Sequence, residues 1–151
     1  TEKIMSDCVL RVCSPELRKG AHPPRAPADL GPYTVLPDER PENDPSRPDW
    51  NAWLKARGVT GVDGNRGPRF TQSSLVVEAA AAGRGVALAK FAIASGDLER
   101  GRLIAPFADG ASDIDFAYWI VYPKWRTPSK LARTFMAWLK SEAAASEVTG
   151  V

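Results

Sequence analysis

Apolar and polar positions along the stretch Arg69–Ala89 follow an order that predicts a strand, a helix and a second strand. Phe70 begins the first strand, and the helix after it carries an apolar stripe of small side chains. Gly83 and Gly85 follow the helix, where glycine commonly ends it. Val86–Ala89 is a continuous apolar run, typical of a strand buried on both faces. Ligands in open α/β sheets bind beyond the carboxyl ends of strands, so the start of the helix is a candidate binding position.

Ser73 and Ser74 stand at that position, and two interpretations of the pair remain open. As helix caps, their hydroxyls would accept hydrogen bonds from the free N–H groups of the first turn. As ligand contacts, the hydroxyls and the helix N-terminus would hold a carboxylate or phosphate. A serine-hydrolase site matches poorly, because Thr71–Leu75 lacks both glycines of the nucleophile elbow and His22 is the only histidine.

Short apolar runs and turn residues predict the elements that precede this unit. We expect a strand over Cys8–Cys13, a helix from Pro15 to Gly20 with Ser14 as its N-cap, one helical turn over Pro27–Leu30, a strand over Tyr33–Leu36, and a helix capped by Asp49 that buries Trp50, Trp53 and Leu54. Four prolines and many charges exclude regular structure over Pro37–Asp49. This stretch is either an interdomain linker or a surface excursion within one domain, and we favour the excursion because apolar structure resumes directly after it.

The remaining patterns predict two short elements, a strand and a long helix. We expect a helical turn over Phe91–Asp97, an extended segment over Gly101–Phe107, a central buried strand over Phe116–Tyr122, and a final helix with Thr127 as N-cap, Pro128 in its first position and an apolar stripe of Leu131, Phe135, Trp138 and Leu139. The tail Glu147–Val151 is expected to fray. Alternating strands and helices indicate an α/β fold with a mostly parallel sheet.

Composition narrows the possible functions. The 151 residues, 44% hydrophobic and 25% charged, suit one globular domain. A net charge of +2 is too small to indicate nucleic-acid binding, and no apolar run is long enough to cross a membrane. Cys8 and Cys13 on one extended strand would be roughly 16 Å apart, so we expect free thiols and a reducing, cytoplasmic compartment. Neither a metal site nor a cofactor is indicated.

Several segments, in order along the chain, resemble the effector-binding domain of LysR-type transcriptional regulators. They are VCSPEL (12–17), DWNAWL (49–54), GPRFTQSS (67–74), AGRGVAL (82–88), GRL (101–103), the strand 118–123 and the closing helix with Phe135 and Trp138. The resemblance runs from about Met5 to Glu142 and is strongest to the branch of glycine-cleavage and β-lactamase regulators.

The resemblance implies a type-2 periplasmic-binding-protein fold, in which two α/β subdomains are joined by two crossing strands and enclose a ligand cleft. Residues 1–13 would then hold the first crossing strand, residues 14–116 the second subdomain, and residues 117–151 the returning strand and the C-terminal helix. The family's winged helix-turn-helix, linker helix and most of the first subdomain have no counterpart in these residues, so DNA would be contacted only through that missing domain.

The resemblance also implies a function, which is to sense an effector for transcription control and not to catalyse a reaction. The effector-binding residues carried over from it are Ser73, Ser74 and Tyr118. We expect a small polar effector, either an amino acid, a peptide or a carboxylate, and no membrane partner. The apolar face of the last helix is expected to drive self-association. The alternative is a periplasmic solute-binding protein of the same fold.

Overall fold

A computed structural model describes residues 1–39 and 48–146 as a four-stranded sheet with helices. The strands are β1 (Glu2–Val12), β2 (Val35–Leu36), β3 (Val86–Lys90) and β4 (Ser112–Ile120). The α-helices are α1 (Pro15–Lys19), α2 (Trp50–Ala56), α3 (Ser73–Ala81), α4 (Phe91–Glu99) and α5 (Lys130–Ala145), and a 3₁₀ turn covers Pro27–Leu30. Most of the expected excursion at 37–49 and the whole expected frayed tail at 147–151 lie outside the described residues.

The sheet is mixed, so the prediction of a mostly parallel sheet is wrong. Its order is β2-β3-β1-β4, and among these four described strands the parallel pair is β2 with β3. β1 lies in the middle and is antiparallel to both neighbours, with Val9 opposite Lys90 on β3 and Ser6 opposite Ala117 on β4. Alternation of strands and helices indicates layers, but it does not determine the direction of a strand whose partners are far along the chain.

β4 is an edge strand, which contradicts the expected central, buried strand over Phe116–Tyr122. It begins and ends earlier than predicted and pairs with β1 in the described sheet. Trp119 remains 55% exposed and Val121, just after the strand, 74% exposed. The apolar pattern of this strand therefore marks a surface that the described residues do not cover.

The predicted β-α-β unit is present, although its first strand is a single bridge between Phe70 and Asp38. The turn before β3 needs its glycines, because Gly83 has a φ of +73° and a Cβ on Gly85 would lie 2.2 Å from the carbonyl oxygen of Thr34. Neither Ser73 nor Ser74 is the N-cap of α3. Gln72 holds that position and makes no side-chain capping bond.

Of the four other α-helices, two begin as predicted and two differ from the prediction. Ser14 and Asp49 cap α1 and α2 as predicted. α5 begins later than predicted, and Ser129 caps it instead of Thr127. α4 is a full helix where only a helical turn was expected. Its residue Ala94 is buried in the core on one face of the sheet.

Alternate residues of β1 and β3 point to two cores on opposite faces of the sheet. One core packs Val9, Val86 and Leu88 against the tryptophans of α2. The other packs side chains of both strands against α3 and α4. α5 contributes little to either core, since Ala143 is its one buried residue while Leu131, Phe135 and Trp138 of its apolar stripe are exposed.

Candidate functional site

The carboxyl ends of β2 and β3 bring polar side chains to one end of the sheet. The two strands are parallel, with Leu36 beside Ala87, so Asp38 and Lys90 follow at the same end. β1 runs the other way, and Val9 opposite Lys90 places Asp7 there as well. We call this group, Asp7, Asp38, Ser73, Lys90, Phe116 and Tyr118, the sheet-end site.

Ser73 is joined to Asp38 within this site. The Ser73 hydroxyl donates to Asp38 Oδ2 at 2.7 Å, and the Asp38 side chain is buried. The serine thus lies at the start of α3, as predicted, but it contacts a carboxylate instead of capping the helix. Ser74 is exposed.

Tyr118 has a different partner, the buried carboxylate of Asp7. The Tyr118 hydroxyl donates to Asp7 Oδ2 at 3.2 Å. Asp7 Oδ1 also accepts from the N–H groups of Cys8, at 2.9 Å, and of Ala92 in the first turn of α4, at 3.2 Å. Asp7 therefore connects the middle strand, the edge strand and the start of a helix.

A buried lysine and an aromatic ring complete the site. Lys90 is only 4% exposed, and its Nζ lies 3.7 Å from the centre of the Phe116 ring, a cation–π contact. The Phe116 ring packs edge-to-face on Tyr118 at 5.2 Å. The site therefore combines two carboxylates, an ammonium group, two hydroxyls and aromatic surface.

Sequence reasoning missed Asp7, Asp38, Lys90 and Phe116. The rule that ligands bind at strand ends would have singled out Lys90, because it directly follows the apolar run that predicts β3. Asp7 precedes the predicted first strand, which is longer in the structure, so no local pattern indicated its position.

A cavity of about 350 Å³ adjoins the sheet-end site and shares the Asp7 side chain with it. Its lining comprises Met5, Ser6, Asp7, Cys8, Phe91, Ala111, Asp113 and Ser146. Burial and the neighbouring carboxylate of Asp7 raise the pKa of the Cys8 thiol, which disfavours its reactive thiolate form. Residues 1–39 and 48–146 contain no group of side chains that could hold a metal ion.

The model of the LysR substrate-binding domain family matches residues 1–144. The chain belongs to this family. It is 34% identical over 146 residues to the glycine cleavage system transcriptional activator of Escherichia coli K12, an alignment that covers 97% of this chain and 46% of the relative. It is also 31% identical over 118 residues to the transcriptional activator AmpR of Rhodobacter capsulatus, covering 78% of this chain and 38% of that protein. The chain thus spans less than half the length of these relatives.

Solved structures confirm the fold that the resemblance implied. The AmpR effector-binding domain from Citrobacter freundii aligns with a TM-score of 0.68 at 25% identity, covering 95% of this chain and 67% of that one. The AmpR effector domain of Pseudomonas aeruginosa aligns with a TM-score of 0.64 at 29% identity, covering 95% and 64%. The fold is therefore the periplasmic-binding-protein-like α/β fold of LysR effector domains. The described helices include none that is long and apolar enough to span a bilayer.

Proposed function

We propose that this chain senses a small polar effector for a LysR-type transcriptional regulator and binds that effector at the sheet-end site. The observation that carries the proposal is that Ser73 and Tyr118, which the family resemblance singles out, lie with Asp7, Asp38 and Lys90 at one end of the sheet. Strand ends of this kind are where open α/β sheets bind ligands.

The charges at the site favour an amino acid or a short peptide over a plain carboxylate. The carboxylates of Asp7 and Asp38 suit an ammonium group, whereas Lys90 and the N-terminus of α3 suit a carboxylate. A zwitterion satisfies both requirements. The name of the Escherichia coli relative refers to glycine cleavage, which makes glycine the first probe to try.

Effector binding would act on DNA through the strands that leave the site. We propose that β1, within residues 1–13, and β4, which continues into residues 117–151, are the crossing strands, and that residues 14–116 form one wall of the cleft. Ligand can shift such an arrangement only by binding one state more tightly than the other. DNA contacts would come from polypeptide outside these 151 residues, in the cytoplasm.

The test replaces the two serines by alanine in a regulator that carries this chain. Wild-type protein is first screened by thermal shift against glycine, the other common amino acids and short carboxylates, and the response to each active compound is then measured with a promoter–reporter fusion. We expect the Ser73→Ala, Ser74→Ala double variant to lose most of the response. The matched control is Ser141→Ala, an exposed hydroxyl on α5. An unchanged response in the double variant, or the same loss in the control, would refute the assignment.

We further propose that a second copy of the chain covers the apolar face of α5. Leu131 is 80% exposed, Phe135 56% and Trp138 53%, and Trp119 of the edge strand β4 is 55% exposed. Exposed apolar surface of this extent marks an interaction site. We expect the 151-residue chain to elute as a concentration-dependent oligomer and the Phe135→Ser, Trp138→Ser variant to elute as a monomer. A monodisperse wild-type monomer at high concentration would contradict this.

A further inference from the structure

Two buried carboxylates pair with the hydroxyls that are assigned to the effector. The Ser73 hydroxyl donates to Asp38 Oδ2 at 2.7 Å. The Tyr118 hydroxyl donates to Asp7 Oδ2 at 3.2 Å, and both aspartates are 6% exposed. Chemistry determines the direction of both hydrogen bonds, because an ionised carboxylate has no hydrogen to donate and a hydroxyl has only one.

Each of these hydroxyls therefore meets any further polar group as an acceptor. The oxygen carries one hydrogen and two lone pairs, and the hydrogen is used in the bond to the aspartate. Donation to a carboxylate also polarises the hydroxyl, which makes its oxygen a stronger acceptor for the next group along the chain of hydrogen bonds. An effector group that binds Ser73 or Tyr118 must then bring a hydrogen-bond donor of its own.

The backbone fixes the orientation of the Asp7 side chain. Its Oδ1 accepts from the N–H groups of Cys8 at 2.9 Å and of Ala92 at 3.2 Å, whereas Oδ2 accepts from Tyr118. Backbone N–H groups can only donate, so the side chain at this position must keep an acceptor facing them. The direction of the Tyr118 hydrogen bond is held by the same contacts.

The charges at the site favour a cationic donor. Of the six residues that define the sheet-end site, Asp7 and Asp38 carry negative charge and Lys90 carries positive charge, so two carboxylates face one ammonium group. Lys90 Nζ lies against the Phe116 ring, 3.7 Å from its centre. A positively charged N–H donor gains from the excess negative charge, whereas a carboxylate is repelled by it and receives no hydrogen from the two hydroxyls.

We propose that Ser73 and Tyr118 recognise an N–H donor of the effector, either an ammonium or an amide group, and not its carboxylate. The inference rests on the proposed function, since it concerns the effector contacts assigned there. It divides a zwitterionic effector between two parts of the site. The ammonium group would bind the two hydroxyl oxygens, and the carboxylate would be held by other donors, such as the N–H groups at the start of α3.

The test compares three probes of equal size that differ in their polar group. Ethylammonium chloride, acetamide and sodium acetate are titrated into the 151-residue chain at equal ionic strength, and binding is followed by NMR chemical shifts. We expect ethylammonium to bind at least about tenfold more tightly than acetate, with acetamide between them. The tighter of the two N–H probes identifies the donor as ammonium or amide. Tighter binding of acetate than of both, or no binding of either N–H probe, would overturn the proposal.

Asp7→Asn reverses one of the two hydrogen bonds. The N–H groups of Cys8 and Ala92 keep the amide oxygen facing them, so the amide nitrogen replaces Oδ2 and donates to the Tyr118 oxygen. The phenol hydrogen is then released, and acetate should bind about tenfold more tightly while ethylammonium binds more weakly. The gain for acetate should disappear in the Asp7→Asn, Tyr118→Phe double variant. A gain that persists there would show that only charge has changed, and would overturn the proposal.

Two comparisons separate this inference from general charge effects and from the effector assignment. Asp115→Asn removes an exposed carboxylate of β4 and should leave the order of the probes unchanged. If the Ser73→Ala, Ser74→Ala regulator keeps its promoter response while the chain prefers N–H probes, the effector assignment fails and the hydrogen-bond polarity of the site holds. If that response is lost but acetate is the preferred probe, the effector assignment holds and the polarity is refuted.

Discussion

Replacement of Asp7 by alanine should cost the domain about 4 kcal/mol of unfolding free energy. The side chain is 6% exposed and accepts from two backbone N–H groups and from the Tyr118 hydroxyl. Each buried donor left unpaired costs about 1–3 kcal/mol. The Ala92 N–H lies in the first turn of α4, where Lys90 occupies the N-cap without a capping bond, so Asp7 caps this helix, and the loss of that cap is already counted as one of the three donors.

Milder substitutions at Asp7 and at its partner Tyr118 separate the contributions to this loss of unfolding free energy. Asp7→Asn keeps the shape and one acceptor oxygen, so we expect a loss of about 1–2 kcal/mol. Tyr118→Phe removes one hydrogen bond and should cost about 1 kcal/mol. Because Asp7 and Tyr118 are in contact, the double variant should lose less than the sum of the two single losses.

Urea unfolding followed by tryptophan fluorescence measures these differences as shifts in midpoint at constant slope. The matched control is Asp115→Ala, an exposed carboxylate on β4 that should change stability by less than about 0.5 kcal/mol. If Asp7→Ala lost no more than Asp115→Ala, the hydrogen bonds attributed to Asp7 would not stabilise the fold, and the reasoning would be refuted.

Three further outcomes follow from single positions. Gly85→Ala would place a Cβ 2.2 Å from the Thr34 carbonyl oxygen and should lower the unfolding free energy by about 2–4 kcal/mol in the same urea assay. A variant as stable as the wild type would show that the backbone at Thr34 moves away at little cost. Asp49→Ala removes the bond from the Ala52 N–H, 2.8 Å long, and should cost about 1 kcal/mol; no loss would exclude the cap. Burial raises the pKa of Cys13 to about 11, above its value in the unfolded chain, so its contribution to stability is complete below pH ~8.5 and is lost as the pH rises towards 11. Iodoacetamide at pH 8 should label this thiol only after unfolding, and rapid native labelling would contradict the burial.

Local signals predicted the elements whose cause lies within a few residues. The Ser14 and Asp49 caps and the glycine turn before β3 are all present, because capping and positive φ depend on neighbouring residues. The cap at Ser73 failed for the opposite reason. Its hydroxyl is taken by Asp38, 35 positions away, and no local pattern reports such a partner.

Two of the six residues of the sheet-end site were predicted from the sequence, and only through the family resemblance. Ser73 and Tyr118 came from the family resemblance, while Asp7 is joined to Tyr118 across 111 positions of sequence. The central place of β1 depends on pairing with β3 and β4, both distant in sequence. Strand order and direction are long-range properties, and periodicity alone does not determine them.

The prediction that β4 is buried was wrong for the same physical reason that the apolar stripe of α5 is exposed. Both patterns are those of buried elements, yet Trp119 and Phe135 are more than half exposed. A hydrophobic pattern reports the surface that is covered in the assembled protein, whichever polypeptide covers it. The Citrobacter freundii domain contains additional polypeptide, since this chain covers 67% of it. We therefore expect the two surfaces to respond together, so that polar substitution on α5 in the 151-residue chain also frees Trp119 and red-shifts tryptophan emission as the oligomer dissociates. A dissociation that left the emission unchanged would show that the edge strand is not part of the same interface.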